Sequence, residues 1–547
     1  MLKNISKQTF LLLMILIIAS FFRLYNLYGV DSVPPGLYPD EAMNGNNALE
    51  ALDTVPSAGG FQIFYQENNG REGLFINIQA LSLKLFGNEP WALRLPSAIF
   101  GILTVLGIYL FGSTLFNNAS IGLLSAFFTA ISFWHINFSR IGFRAIMAPF
   151  FLVWALYLLI LAIKKNGAFD KLLQANHQAW LLAAFGGLVY GAGFYTYIAY
   201  RATPLLVFII FFVYYFKSHA SVIARCPRPS FAEGFGRAKR GNLNVLKVFK
   251  IFILFAFIAI LPLSAYFIQN PQDFFGRTAQ ISIFTSDTPL KDLGTNIIKT
   301  AGMFNFSGDE NWRHNFSGKP ELYWPIGITF IFGILYGLKN LFSARGAVPT
   351  GRQGSAFGEK IINNKEFILL FSWLIIAALP VIISTEGIPH ALRSLLMIPP
   401  VFILAGAGAL KIYELLIHKI SGFYHKHDKL MKNSFILLCA LLIAQSYNYY
   451  FIEWGANTNV DYAFRQSYVD IGKILNALPK ETMKYVVVEN SASSGVIVRG
   501  IDMSAQTVMF ITDTFTTKKQ VEKNIHYLRS GQEADIYEND ALFFYLK

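Results

Sequence analysis

The feature that most constrains this chain is a recurring apolar stretch of about twenty residues, the length that crosses the hydrocarbon core of a bilayer. Such stretches run near 8–29, 93–116, 119–138, 145–163, 179–198, 203–216, 249–269, 322–342, 367–384, 394–416 and 434–452 of the 547 residues. Only 14% of the chain is Asp, Glu, Lys or Arg, against about 25% in soluble domains, and its mean hydropathy is +0.42. So few charges cannot cover a soluble protein of this size. The pattern predicts an all-α polytopic membrane protein with about 11 transmembrane helices. Lys3 and Lys7 precede the first stretch as they would in a signal peptide. The apolar run continues to Tyr28 with no small-residue cleavage site, so it is expected to be a retained helix.

The formal net charge is +13, and the basic residues gather in particular loops. Residues 217–250 carry Lys217, Arg225, Arg228, Arg237, Lys239, Arg240, Lys247 and Lys250 against one acid, Glu233. Loops 164–178, 343–366 and 417–433 are also net basic, and with eleven spans all four fall on one side. Retained basic loops mark the cytoplasm. No aromatic-basic motif points to nucleic acid. Cys226 lies in a basic loop and Cys439 in an apolar segment, so no disulfide and no Cys-based metal site is expected.

The opposite loops differ. The first, residues 31–92, is acidic, and its segments 40–52 and 72–86 have helical apolar spacing suited to short helices on the membrane surface. The loop 270–320 contains a further helix at Leu290–Met303. Beyond residue 452 the composition turns ordinary. Residues 453–547 are expected to form a small α/β domain outside the membrane, with strands at Lys484–Glu489, Val508–Thr512 and Ala541–Leu546 and a helix at Thr517–Arg529.

Chemistry concentrates first at Pro34-Pro35-Gly36-Leu37-Tyr38-Pro39-Asp40-Glu41-Ala42, directly after the first span. The prolines stop the helix and fix the direction of the chain. Asp40 and Glu41 then sit at the start of the next helix. Two readings stand side by side. One is a helix cap and a first-turn acid favoured by the dipole. The other is a general base, Asp40, that takes the proton of a hydroxyl nucleophile.

The Asp-Glu pair in the first outer loop of a chain with about eleven spans resembles the C-type membrane glycosyltransferases. The nearest likeness is to the protein O-mannosyltransferase-like family 39 and to bacterial enzymes that move aminoarabinose or other sugars from polyprenyl phosphate. Asn69-Gly70-Arg71-Glu72-Gly73-Leu74-Phe75, Leu85-Phe86-Gly87, Trp91-Ala92-Leu93-Arg94-Leu95-Pro96-Ser97 and Ile388-Pro389-His390-Ala391-Leu392-Arg393 with Pro399-Pro400 extend the resemblance in order along residues 8–452. It implies catalytic Asp40 and Glu41, with Arg71, His390 and Arg393 holding the donor phosphate. Relatives carry proline where this chain has Glu72, which leaves open whether Glu72 joins the site or faces water.

Other polar groups fall on the same side. Arg140, Arg144, Tyr197, Tyr200 and Arg201 bracket two tight turns and are either interfacial belt residues or the lining of a donor groove. Asp309, Glu310 and Trp312 end the long outer loop, either as a turn or as sugar contacts. No cofactor motif appears. A divalent cation held by Asp309, Glu310 and His314 is an open option, although that spacing matches no strong ligand pattern.

The expected activity is inverting transfer of a sugar from a polyprenyl-phosphate donor to a hydroxyl of protein, lipid or glycan. The site and tail face outward from a cell (plasma or inner) membrane and the N-terminus faces the cytoplasm. A departing phosphodiester gains negative charge, and a cation placed at that oxygen stabilises the transition state over the ground state. Rival readings are a transporter or flippase of lipid-linked sugars, a scaffold presenting the tail, and a glycan polymerase or ligase.

Overall fold

The computed structural model describes residues 6–29, 31–53, 60–167, 174–223, 231–280, 283–342, 364–385, 387–421, 428–489, 496–535 and 540–546. Cys226, segment 343–363 and parts of the other basic loops lie outside the described residues. Among those described, nine helices are long and apolar enough to cross a membrane. They are Lys7–Leu24, Pro90–Phe116, Arg144–Asn166, Ile198–Phe216, Asn244–Gln269, Trp324–Phe342, Lys365–Ile382, Leu395–Ile417 and Asn433–Trp454. This is a multi-span membrane protein with small sheets only.

Two expected spans do not meet that standard, and each has a local cause. The stretch 119–138 divides into helices Ala119–Ile131 and Phe133–Phe138. Ser132 separates them, its hydroxyl capping His135 N–H at 3.4 Å and so starting a new helix. Of the stretch 179–198, residues 179–192 lie in helix Gln174–Ala192, whose first turns carry Gln174, Asn176, His177 and Gln178, and the rest lies beyond its end. That helix is wedged between Met147–Gly167 and Phe231–Gln269.

After α1 (Lys7–Leu24) the chain enters a long loop built around α2 (Pro39–Leu52) and α3 (Leu74–Phe86). Pro39 occupies the first turn of α2, where its missing N–H costs nothing. The Glu41 carboxylate reaches back to Tyr38 N–H at 3.4 Å. Between these helices, β1 (Phe64–Tyr65) pairs antiparallel with β2 (Arg71–Glu72). The connecting turn holds Asn68, Asn69 and Gly70 at positive φ, a conformation that asparagine and glycine tolerate. Arg71 and Glu72 are therefore consecutive strand residues with side chains on opposite faces.

The tail contains a three-stranded parallel sheet with β3 (Lys484–Val488) between β6 (Ile525–Arg529) and β7 (Leu542–Leu546), and a hairpin of β4 (Ile497–Val498) and β5 (Ile501–Asp502). Two expectations fail here. Residues 508–512 lie in a helix, Gln506–Thr512, not a strand, because Val508, Met509 and Phe510 pack on α2 rather than into a sheet. The helix expected over 517–529 stops at Lys523. Asn524 adopts φ +50 and turns the chain into β6.

The tail and the loop after α1 share a core. Met43 of α2 is packed with Val486, Val488, Val508 and Met509, while Leu37, Ala42 and Ala48 pack with Val469 and Phe510. Gln466 accepts from Gly36 N–H at 2.5 Å, and Thr507 donates to Leu37 O at 2.8 Å. Gly36, at φ +56, leaves no room for a side chain beneath the Phe464 carbonyl.

Candidate active site

The beginning of α2 is fixed by Glu41. Its carboxylate is fully buried and takes Arg94 Nε at 2.9 Å, Arg94 Nη2 at 3.0 Å and Gly142 N–H at 2.6 Å. Arg94 also donates to Pro34 O and Gly36 O. This forked pair closes the proline-rich turn onto the Ser139–Phe143 turn. The two adjacent acids are thus separated in environment: Glu41 is fully engaged inside, and Asp40 faces a cavity.

That cavity, of about 90 Å³, is lined by Asp40, Asn44, Asn68, Arg71, Phe143, Arg144, Ala145, Tyr197 and Leu392. Asp40 is half-buried, with Asn68 Nδ2 donating to Oδ1 at 2.6 Å. That bond orients the carboxylate while its other oxygen is left for a second partner.

Arg71 is 2% exposed. Its guanidinium donates to Asn44 Oδ1 at 2.5 Å, to Asn47 Oδ1, and to Glu67 O at 3.3 Å. All three acceptors are neutral, and among the described residues Arg71 has no ion pair. Burial, and then the neighbouring Arg144, lower it to about 10, so it remains a cation at neutral pH. Asp40, Asn44 and Asn47 follow the i, i+4, i+7 spacing of one helix face. That spacing was the available signal for the two asparagines, which sequence reasoning passed over together with Asn68 and Glu67.

Glu72 neither faces water nor stands as a spare base. It is buried and paired with Arg144 Nε at 3.1 Å and Arg201 Nη2 at 3.4 Å. Arg144 and Tyr197 reach the cavity, with the Arg144 guanidinium 6.0 Å from the Tyr197 ring centre. Arg201 instead donates to Phe274 O and covers the Phe274 ring.

Other sequence candidates lie elsewhere. Arg140 is fully buried against Val33 O and Phe22 O, with Tyr450 and Phe451 over its guanidinium. Tyr200 is enclosed by Tyr190 and Phe194. Trp312 packs at a tilt against Phe316, and its carbonyl accepts from Trp454 Nε1. Arg393 donates to Ser384 Oγ, just beyond the cavity residue Leu392. Glu310 is exposed. His390 joins Asp309 and His314 in its place, bringing three ligand-type atoms within 4.8 Å of one another, a group that could hold a divalent cation.

Residues 74–225 match the family described as dolichyl-phosphate-mannose-protein mannosyltransferase. A putative mannosyltransferase of Bacillus subtilis, YkcB, is 28% identical over 202 residues, covering 37% of this chain and 26% of the relative. The chain thus spans about a quarter of that curated relative. Among solved structures, the apo oligosaccharyltransferase of Archaeoglobus fulgidus shares the fold with a TM-score of 0.51 at 13% identity, over 97% of this chain and 65% of that one. ArnT of Cupriavidus metallidurans, solved with undecaprenyl phosphate, gives 0.45 at 13% identity, over 97% and 91%. The chain therefore shares the fold of the archaeal oligosaccharyltransferase, and its residues 74–225 are similar to the protein-mannosyltransferase family.

Proposed function

We propose that this chain is an inverting glycosyltransferase that moves a sugar from a polyprenyl-phosphate carrier to a hydroxyl acceptor on the extracytoplasmic face. The observation that carries the reading is the cavity itself: one oriented carboxylate, Asp40, beside a buried guanidinium, Arg71, whose hydrogen bonds all go to neutral oxygens. A cation desolvated in this way, with no ion pair among the described residues, favours an incoming anion.

In this reading the donor phosphate lies at Arg71. Arg144, already partly committed to Glu72, supplies a second positive group where the resemblance had pointed to Arg393. Asp40 takes the acceptor's proton as its oxygen bonds to the anomeric carbon. The carbon–oxygen bond to phosphate breaks, and the lipid monoester leaves with the electron pair. The fixed guanidinium stabilises that growing charge without reorganising. The matched family, described by its dolichyl-phosphate-mannose donor, is in keeping with a lipid-linked donor.

The test is transfer by purified protein in nanodiscs, wild type against Asp40→Asn, using radiolabelled polyprenyl-phosphate sugars and a membrane extract as acceptor. Transfer by the wild type alone, with the variant still binding the carrier, supports the reading. Equal transfer by both removes Asp40 from the mechanism. No transfer by either, across several donors, favours transport or scaffolding.

A further inference from the structure

We infer that Asp309, His314 and His390 form a divalent-cation site, suited best to zinc, that clips two outer segments together beside the cavity. Asp309 and His314 belong to the segment before helix Trp324–Phe342, and His390 to the segment leading into Leu395–Ile417. Asp309 Oδ2 is 3.1 Å from His314 Nδ1 and 3.8 Å from His390 Nδ1. Tetrahedral zinc with ligands at about 2.0–2.1 Å holds neighbouring ligand atoms roughly 3.3 Å apart, between those two separations.

A hydrogen bond accounts for Asp309 and His314 alone. It leaves His390 Nδ1 buried with no hydrogen-bond partner among the described residues, an arrangement that costs desolvation without return. A second buried, unpartnered atom lies beside the group. Glu321 is buried beside the group, accepting Asp309 N–H at 3.2 Å through one oxygen while the other has no hydrogen-bond partner among the described residues. Ala391 N–H donates to Asp309 Oδ2 at 2.8 Å, aiming the carboxylate as outer contacts of metal ligands do. A nitrogen and oxygen donor set without thiolate suits zinc among the common dications. The clip would hold the stretch that runs from His390 to Leu392, which lines the cavity, and on to Arg393.

The test uses the full chain, free of any histidine tag, stripped with chelator and reloaded with zinc alone. Mass-spectrometric metal analysis is expected to find about one zinc per chain, and melting to shift upward on reloading. His390→Ala and His314→Ala, each confirmed monodisperse, are expected to lower zinc content at least tenfold. Folded wild type that retains almost no zinc overturns the proposal, and so does undiminished zinc in both variants. Neither readout involves transfer activity, so the site stands or falls independently of the glycosyltransferase reading.

Discussion

Arg499 in the tail donates to Glu67 at 2.8 Å across 432 residues of sequence, and grips Glu50 with the same guanidinium. Glu67 in turn accepts from Asn47 Nδ2 at 3.2 Å, and Asn47 holds Arg71. A line of hydrogen bonds therefore runs from the tail to the buried guanidinium of the cavity. The tail thus braces α2.

Arg499→Ala should barely change stability. The side chain is 41% exposed, and pairs of this kind contribute about 1 kcal/mol or less. The expected effect is a several-fold rise in KM for the lipid donor with kcat little altered. Unchanged donor kinetics would show that the brace does not reach Arg71.

Arg71→Lys should fail to substitute. An ammonium cannot span Asn44 and Asn47 as the planar fork does. Carrier-phosphate affinity is expected to fall at least tenfold, about 1.4 kcal/mol, as measured by titration in nanodiscs. Wild-type affinity in the lysine variant would remove Arg71 from phosphate binding.

The same residue sets a pH limit. Arg71 binds an anion only while protonated, and its folded-state pKa is lowered to about 10. Affinity for carrier phosphate is expected to be level through neutral pH and to decline as pH rises through 10, with Asn47→Ala showing a weaker plateau. A decline centred near pH 7 would point to a different group.

Glu41→Gln should be far more damaging to the fold than Asp40→Asn. It leaves Arg94 buried without its charge partner, which costs about 3–5 kcal/mol. Thermal unfolding of the two purified variants compares them directly, and equal melting would contradict the division of labour between the adjacent acids.

Gly45→Ala tests how the tail is seated. A Cβ there runs into the Phe510 ring, and overpacking of this sort costs about 1–3 kcal/mol. Protease sensitivity of the tail is expected to increase while the membrane-spanning part stays intact. An unaltered digestion pattern would mean that the contact can relax.

Much of the frame was legible because it depends on local pattern. The apolar stretches gave most spans, and Pro39-Asp40-Glu41 gave the start of α2. What escaped depends on distant partners. Nothing near Glu41 in sequence announces Arg94 or Gly142, and nothing near Glu72 announces Arg144 and Arg201. The run Val508–Thr512 is apolar in either conformation, so periodicity alone cannot separate a short strand from a helix. His390 could be placed near the cavity by resemblance, but its meeting with Asp309 and His314 required the fold.

Arg71 is fixed by three oxygens and has little freedom to turn away. The leaving lipid monoester bears almost one more negative charge than the donor diester, so the same rigid grip favours the spent carrier over the fresh one. Turnover is then expected to be paced by release of that carrier, with free polyprenyl phosphate a competitive inhibitor against donor. A membrane that clears spent carrier quickly would set the working speed of the protein.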